Sequence, residues 1–128
     1  MIKHILIVDD DLDISHLFET FLKDEGFSTA LATDGLDALL KMKEQEPDLM
    51  IADIMMDGMD GLALIREIRE THPKLPVIVI SGGRRVLSVN FKPQAKEDGA
   101  DEYMEKPIHL ADLRRSVQKL LDGNRAEK

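Results

Sequence analysis

The sequence predicts a doubly wound α/β fold, in which helices cover both faces of one five-stranded parallel sheet. Five short apolar runs alternate with five amphipathic stretches, and strands that alternate with helices need crossover connections between parallel strands. The 128 residues lie within the roughly 100–200 that form one domain. Hydrophobic residues make up 43% of the chain and charged residues 33%, which is typical of a globular protein rather than a disordered one.

Each predicted strand is a short apolar run bounded by turn residues. The first and fourth runs, at 5–8 and 76–80, are continuously apolar, as expected for strands that are buried on both faces. The second and fifth runs are weaker, and the third is apolar from Leu49 onward. The predicted strands span 5–8, 27–32, 49–52, 76–80 and 100–104.

The predicted helices show apolar residues three or four positions apart. The first covers 12–22 and ends before Gly26, and the second follows a capping turn at Thr33-Asp34-Gly35. The apolar face of the second helix is assigned to Leu36, Leu39, Leu40 and Met42.

The remaining three helices differ in how regular their apolar pattern is. The third carries Leu62, Ile65 and Ile68 and stops before Pro73, and the last runs from Leu110 to Leu121. The stretch between Gly82 and Asp98 is irregular, and we expect only one short helix in it, near 93–98. One domain is therefore predicted over 1–122, followed by a charged tail at 123–128.

Composition excludes several classes of function. Lys and Arg number 17 against 25 Asp and Glu, a formal charge of −8 that disfavours binding to nucleic acid. Cysteine is absent, which excludes disulfides, thiolate catalysis and Cys-ligated zinc. The four histidines share no metal-ligand spacing and are assigned to the surface. Without a signal peptide or an apolar run of about 18 residues, we expect a cytoplasmic protein that does not enter membranes.

Polar side chains that carry chemistry follow four of the predicted strands. Asp9-Asp10-Asp11 ends the first strand, Asp53 the third and Ser81 the fourth, and Lys106 follows the fifth. In doubly wound sheets, ligands bind at the carboxyl ends of the strands. We therefore expect these carboxylates, this hydroxyl and this ammonium group to meet at one edge of the sheet.

The chemistry that this set favours is phosphoryl transfer assisted by a cation. Crowded carboxylates repel one another unless a cation joins them, and oxygen ligands without His or Cys suit Mg²⁺ or Mn²⁺. A lysine and a hydroxyl beside that ion would hold a phosphoryl group, and a carboxylate can become an aspartyl-phosphate. Taken singly, each residue is ordinary: Asp after a strand is a common helix N-cap, Ser81 a turn residue and Lys106 a solvated charge.

Four segments together resemble the receiver domain of two-component response regulators. They are ILIVDDD at 5–11, DIMMDGMDG at 53–61, VIVISG at 77–82 and GADEYMEKP at 99–107. The resemblance extends from about Ile5 to Leu121. It implies a flavodoxin-like sheet with strand order 2-1-3-4-5.

The resemblance also implies a role for each matching residue. Asp53 would accept a phosphoryl group from a phosphohistidine on a histidine kinase or a histidine phosphotransfer protein. The cation, Mg²⁺ or Mn²⁺, would be bound by Asp10, Asp53 and the main-chain carbonyl of Met55, and by Asp9 through water.

The remaining implied roles concern the phosphoryl group and the switch. Ser81 would bond a phosphoryl oxygen, Lys106 would pair with the group, and Tyr103 would change rotamer when Ser81 moves inward. The Lys106–Pro107 peptide bond would be cis. The domain would signal to an unknown downstream protein rather than turn over a substrate as an enzyme.

The sequence departs from the family pattern at three places. Asp57 stands where the family usually has Pro, the segment that opens with Gly82-Gly83-Arg84-Arg85 is longer than usual, and Pro93 shortens or displaces the fourth helix. We expect residues 82–92 to become ordered on phosphorylation and to form a partner-specific surface.

Three other classes of function compete with a phosphoacceptor domain. A haloacid-dehalogenase-type phosphohydrolase would also use Asp9-Asp10-Asp11, Ser81 and Lys106, but it leaves Asp53 unexplained. A flavin or dinucleotide carrier would need a Gly-rich loop after the first strand, which is absent here. A receiver-like scaffold that binds partners without phosphorylation would not need the full set of site residues. No output domain is seen after residue 121, so the sequence is either a stand-alone receiver or part of a longer protein.

Overall fold

The computed structural model describes residues 2–54, 61–81 and 92–122. Within these ranges the chain alternates strictly between strands and helices, as the sequence predicts. The strands are β1 (His4–Val8), β2 (Ser28–Ala32), β3 (Leu49–Asp53), β4 (Val77–Ser81) and β5 (Glu102–Glu105). The helices are α1 (Leu12–Asp24), α2 (Gly35–Glu44), α3 (Gly61–Thr71), α4 (Lys92–Asp98) and α5 (Leu110–Leu121).

All five strands are parallel and lie in the order β2-β1-β3-β4-β5, which confirms the predicted topology. Because β1 pairs with β2 on one side and with β3 on the other, the strand order reverses between β1 and β3. A crevice opens at the carboxyl end of such a reversal, and this is where doubly wound proteins bind their ligands.

Two apolar layers hold the helices against the sheet. Alternate residues of each strand point to opposite faces, so Ile5 and Ile7 lie in one layer and Leu6 and Val8 in the other. The first layer packs against α1 and α5, and the second against α2, α3 and α4. Both faces of the central strands are therefore covered, which explains their unbroken apolar runs.

The predicted apolar face of α2 is confirmed for Leu39 and Met42 but wrong for Leu36 and Leu40. Leu36 and Leu40 are 65% and 60% exposed, while Ala38 and Met42 are buried against the sheet. Leucines occur on both sides of this helix, so periodicity alone could not choose between them. The smaller Ala38 lies on the buried side.

The fourth helix agrees with the sequence analysis. It spans Lys92–Asp98, and Pro93 lies in its first turn, where the missing N–H does not interrupt a helical hydrogen bond. The Lys106–Pro107 peptide bond is cis, as predicted. Among the described residues, no helix has the length and apolarity that a membrane span would require.

His4 is only 5% exposed, so its assignment to the surface is wrong. Its Nδ1 lies 3.0 Å from the Ser28 hydroxyl, and its main-chain N–H donates to Asp48 Oδ2 at 2.8 Å. Burial lowers the pKa of His4 below its usual value of 6.5, although the Asp48 carboxylate opposes this shift. The folded protein therefore favours the neutral imidazole.

We expect His4 to make the protein less stable as the solution becomes acidic. As the pH falls below about 6.5, His4 is protonated in the unfolded chain before it is protonated in the folded chain. The free energy of unfolding therefore decreases as the pH decreases. Urea denaturation of wild type and His4→Asn between pH 5 and 8, roughly the range of histidine titration, checks this. The wild type should lose stability relative to the variant at the acidic end. A pH-independent difference between the two would contradict the burial argument.

Arg69 of α3 joins three parts of the fold on the side away from Asp53. Its guanidinium donates to the main-chain oxygens of Gly99, His72 and Leu75 at 2.6–3.2 Å, and to Asp101 Oδ2 at 3.2 Å. Asp101 Oδ2 also accepts from the main-chain N–H of Val77, the first residue of β4. Arg69 thus fixes the end of α3, the start of β4 and the turn before β5.

Arg69→Ala should therefore lower the free energy of unfolding by about 2–4 kcal/mol, because several partly buried acceptors lose their donor. Arg66→Ala is a matched control on the same helix. Its guanidinium is 55% exposed and pairs with Asp98 at 2.8 Å, so its loss should lower stability by less than about 1 kcal/mol. Urea denaturation measures both. Equal losses would show that the Arg69 contacts add nothing beyond a surface ion pair.

Candidate functional site

The polar residues predicted at the strand ends meet at one edge of the sheet. Asp9 follows β1, Asp53 ends β3, Ser81 ends β4, and Lys106 follows β5. Side-chain oxygens of Asp9, Asp10 and Asp53 lie within 4.8 Å of one another. Asp9 and Asp53 are buried, whereas Asp10 is exposed at the mouth of the crevice.

Lys106 lies over the two buried carboxylates. Its Nζ is 3.0 Å from Asp53 Oδ2 and 3.6 Å from Asp9 Oδ2, and its side chain is 16% exposed. The main-chain N–H of Lys106 donates to the Ser81 carbonyl at 2.8 Å, which ties the end of β5 to β4. The ammonium group itself is held by the carboxylates of Asp53 and Asp9.

The carboxylates and the ammonium group at this edge shift the pKa values of Asp9 and Lys106. Burial raises the pKa of Asp9 to about 6, with a further rise from Asp53 that the Asp11 N–H and Lys106 oppose. Burial alone would lower the pKa of Lys106, but its hydrogen bond to Asp53 and the charges of Asp53 and Asp9 raise it. In the part of the chain that the structure describes, the Lys106 ammonium group contacts Asp9 and Asp53, and Asp10 lies in the same cluster. A further positive charge would relieve the repulsion among these carboxylates.

This donor set fits a hard divalent cation. Two buried carboxylates and one exposed carboxylate supply oxygen ligands from one side, while the exposed position leaves room for water. Mg²⁺ prefers such partial coordination by one or two carboxylates with several waters retained. Neither histidine nor cysteine belongs to this cluster, which disfavours the softer transition metals.

Asp53 is closely supported by the start of α3. The Gly61 N–H donates to the Ile54 carbonyl at 2.9 Å, and a Cβ at Gly61 would lie 2.2 Å from the Asp53 carbonyl oxygen. The main-chain N–H of Ile54 donates to Ile80 of β4 at 3.0 Å. Glycine at position 61 allows this close approach of the two backbones.

Ser81 and Tyr103, the two residues of the predicted switch, lie on the adjacent strands β4 and β5. Ser81 is 2% exposed, and the Tyr103 ring packs partly buried against the layer that covers α2, α3 and α4. Within the described residues the buried Tyr103 hydroxyl has no hydrogen-bond partner. A buried hydroxyl without a partner is uncommon in native proteins.

Some of the predicted features lie outside the described residues. These are the main-chain carbonyl of Met55, the substitution at Asp57, most of the 82–92 segment and the tail at 123–128. They remain predictions.

Several contacts that the sequence pattern does not predict support the acidic turn. The Asp11 N–H donates to Asp9 Oδ1 at 2.9 Å, and the Asp11 side chain caps α1 by accepting from the N–H groups of Asp13 and Ile14. The hydroxyl of Ser15 donates to the Asp9 carbonyl at 3.3 Å. The signal for Ser15 was present, since it shares a helical face with Phe18 and Leu22.

Comparison with known proteins places the chain in one family. The family model described as the response regulator receiver domain matches residues 5–118. The chain belongs to the response regulator receiver family. As a receiver domain it is a signalling module, and its acidic cluster fits a phosphoacceptor site. The family match favours this interpretation over the phosphohydrolase and scaffold alternatives.

Curated relatives and solved structures agree with this assignment. The receiver domain is 34% identical over 127 residues to the response regulator MprA of Mycobacterium bovis, covering 99% of this chain and 54% of that protein. It is 34% identical to the transcriptional regulatory protein ZraR of Escherichia coli, covering 91% of this chain and 26% of that protein. The chain thus spans between a quarter and about half of the length of these relatives.

Two solved structures show the same fold. NtrX from Brucella abortus, in complex with ADP, superposes with a TM-score of 0.89 at 36% identity, covering 99% of this chain and 29% of that one. A CheY-like receiver domain protein from Methanospirillum hungatei superposes with a TM-score of 0.89 at 27% identity, covering each chain completely.

Proposed function

We propose that this receiver domain accepts a phosphoryl group on Asp53 from a phosphohistidine of a histidine kinase or a histidine phosphotransfer protein. The observation that carries the proposal is the position of Asp53. Its carboxylate ends the central strand, lies 3.0 Å from Lys106 Nζ, and shares a cluster with Asp9 and Asp10.

The transfer needs one bond to form and one to break. A carboxylate oxygen of Asp53 attacks the phosphorus, the P–N bond to the donor imidazole breaks, and the imidazole leaves with the electron pair and takes up a proton. Lys106 neutralises charge on the phosphoryl oxygens, and the Ser81 hydroxyl donates to one of them. Positioning and charge neutralisation of this kind are what phosphoryl transfer requires.

The proposed cation is Mg²⁺, with Mn²⁺ as a substitute. Asp10 and Asp53 would be direct ligands together with the Met55 carbonyl, and Asp9 would act through water. When bound, the ion supplies positive charge that offsets the carboxylates and the incoming phosphoryl group. Burial, with a smaller contribution from the charge of Asp53, raises the pKa of Asp9 to about 6, and a cation beside these two carboxylates would offset both effects.

The switch that we propose uses Ser81 and Tyr103. When the Ser81 hydroxyl turns toward a phosphoryl group on Asp53, it leaves space beside β4 for the Tyr103 side chain. The Tyr103 hydroxyl finds no hydrogen-bond partner among the residues that the structure describes, which supports a second arrangement of this side chain. The rearranged surface would bind a downstream protein.

The kinase or phosphotransfer protein would dock beside the acidic edge. Leu12 immediately follows the acidic turn and is 52% exposed, and Leu17 on the same helix is 49% exposed. An apolar contact here would bring a phosphohistidine toward Asp53. We further propose a cytoplasmic location and no direct contact with nucleic acid or membranes, and we propose that the domain turns over no separate substrate.

Incubation of the wild-type protein with acetyl phosphate and Mg²⁺ tests the proposed function. Intact-mass measurement should show a single phosphoryl adduct that forms only when the cation is present. The matched reaction contains EDTA. No adduct, or an adduct that forms equally with EDTA, would contradict the proposal.

A further inference from the structure

Ser15 is a polar residue on the buried face of α1. It is completely inaccessible to solvent and shares that face with the apolar Phe18 and Leu22. A helical serine usually bonds the carbonyl three or four residues earlier, but the Ser15 hydroxyl reaches the Asp9 carbonyl, six residues back, at 3.3 Å. The hydroxyl therefore contacts the loop at the acidic edge rather than its own helix.

The Asp9 carbonyl belongs to the peptide unit that joins Asp9 to Asp10. Because a peptide unit is planar, fixing its oxygen also fixes the direction in which Asp10 leaves it. On the other side of Asp9, the main-chain N–H donates to Ala32 at 3.0 Å, and Asp9 Oδ1 accepts from the Asp11 N–H. The Ser15 contact completes this set of restraints.

We propose that Ser15 is a positioning residue for cation binding, because it holds the Asp9–Asp10 peptide so that both carboxylates point into the crevice. The inference rests on the proposed function. Ser15 contacts neither the cation nor the phosphoryl group, and it acts only through the orientation of the two acidic residues.

The stability of the fold offers a way to separate this role from ordinary packing. Alanine has a higher helix propensity than serine and carries no polar group that needs a partner in an apolar layer. Ser15→Ala should therefore leave the urea midpoint almost unchanged while cation binding weakens. If Ser15 mattered only for packing, Ser15→Ala would change the urea midpoint and leave cation binding unaltered.

Binding of Mn²⁺ to the full chain, followed through the electron paramagnetic resonance signal of the free ion, tests this inference. The method suits a protein that has no tryptophan. Ser15→Ala should raise the Kd for Mn²⁺ about tenfold, as for other supporting contacts of metal ligands. Ser15→Cys keeps the approximate size of the side chain but is a weaker hydrogen-bond donor. Its Kd for Mn²⁺ should therefore lie between that of the wild type and that of Ser15→Ala.

Ser28→Ala is the matched control. It also removes one hydroxyl from a hydrogen bond, the one to His4, but at the amino-terminal edge of the sheet. Its Kd for Mn²⁺ should equal that of the wild type. Phosphorylation of Ser15→Ala by acetyl phosphate should be slow at low Mg²⁺ and recover at saturating Mg²⁺.

The possible outcomes distinguish a failure of the proposed function from a failure of the role proposed for Ser15. If the wild type binds no Mn²⁺, the proposed function is overturned together with the role of Ser15. If the wild type binds and Ser15→Ala binds equally well, only the role of Ser15 is overturned. An equal weakening in Ser28→Ala would also overturn it, because the effect would not depend on the Asp9–Asp10 peptide.

Discussion

Asp53→Asn is expected to abolish phosphorylation by acetyl phosphate. The amide lacks the nucleophilic carboxylate oxygen. Among the described acidic residues, Asp53 lies nearer to Lys106 Nζ, at 3.0 Å, than Asp9 does, at 3.6 Å. Removal of a group that itself forms the covalent bond should lower the rate by several orders of magnitude. Intact-mass measurement of the variant after incubation with Mg²⁺ and acetyl phosphate gives the result.

The control for this variant removes a carboxylate of the same kind elsewhere. Asp24→Asn changes an exposed residue at the end of α1 that lies away from the acidic edge. It should form the adduct at the wild-type rate. An adduct that persists in Asp53→Asn would contradict the assignment of the acceptor.

Asp10→Ala is expected to abolish binding of Mg²⁺ or Mn²⁺. Asp10 supplies an exposed carboxylate to a cluster whose other two members are buried, and a hard cation that retains most of its water depends on each protein ligand. Titration with Mn²⁺ should show one weak site in the wild type and none in the variant.

A nearby acidic residue controls for local charge in that experiment. Asp13 is exposed in the first turn of α1 but does not belong to the cluster. Asp13→Ala should therefore weaken Mn²⁺ binding only slightly, through screened electrostatics. Equal losses in the two variants would show diffuse attraction to an acidic surface instead of a defined site.

The sequence predicted the sheet and the residues at its edge because both follow from local patterns. Continuous apolar runs such as Ile5–Val8 and Val77–Ile80 mark strands that are covered on both faces, and the sheet order brings Asp9, Asp53 and Lys106 together. Chemistry at the ends of parallel strands can thus be predicted once the alternation of strands and helices is recognised.

Contacts between distant parts of the chain could not be predicted in this way. Arg69 contacts Gly99 and Asp101, about thirty residues away, and nothing in its local sequence distinguishes it from the exposed Arg66. The same holds for His4, whose burial depends on Ser28 and Asp48. On α2, apolar residues on both sides made the buried face ambiguous, and packing against the sheet decided it.

The position of the phosphoryl group within the chain decides whether Asp53 is the acceptor. Borohydride reduces an acyl phosphate on aspartate to homoserine, so the phosphorylated protein can be reduced, digested and sequenced by tandem mass spectrometry. We expect homoserine at Asp53 and unmodified aspartate at Asp9 and Asp10. Homoserine at either of those two positions instead of at Asp53 would contradict this assignment.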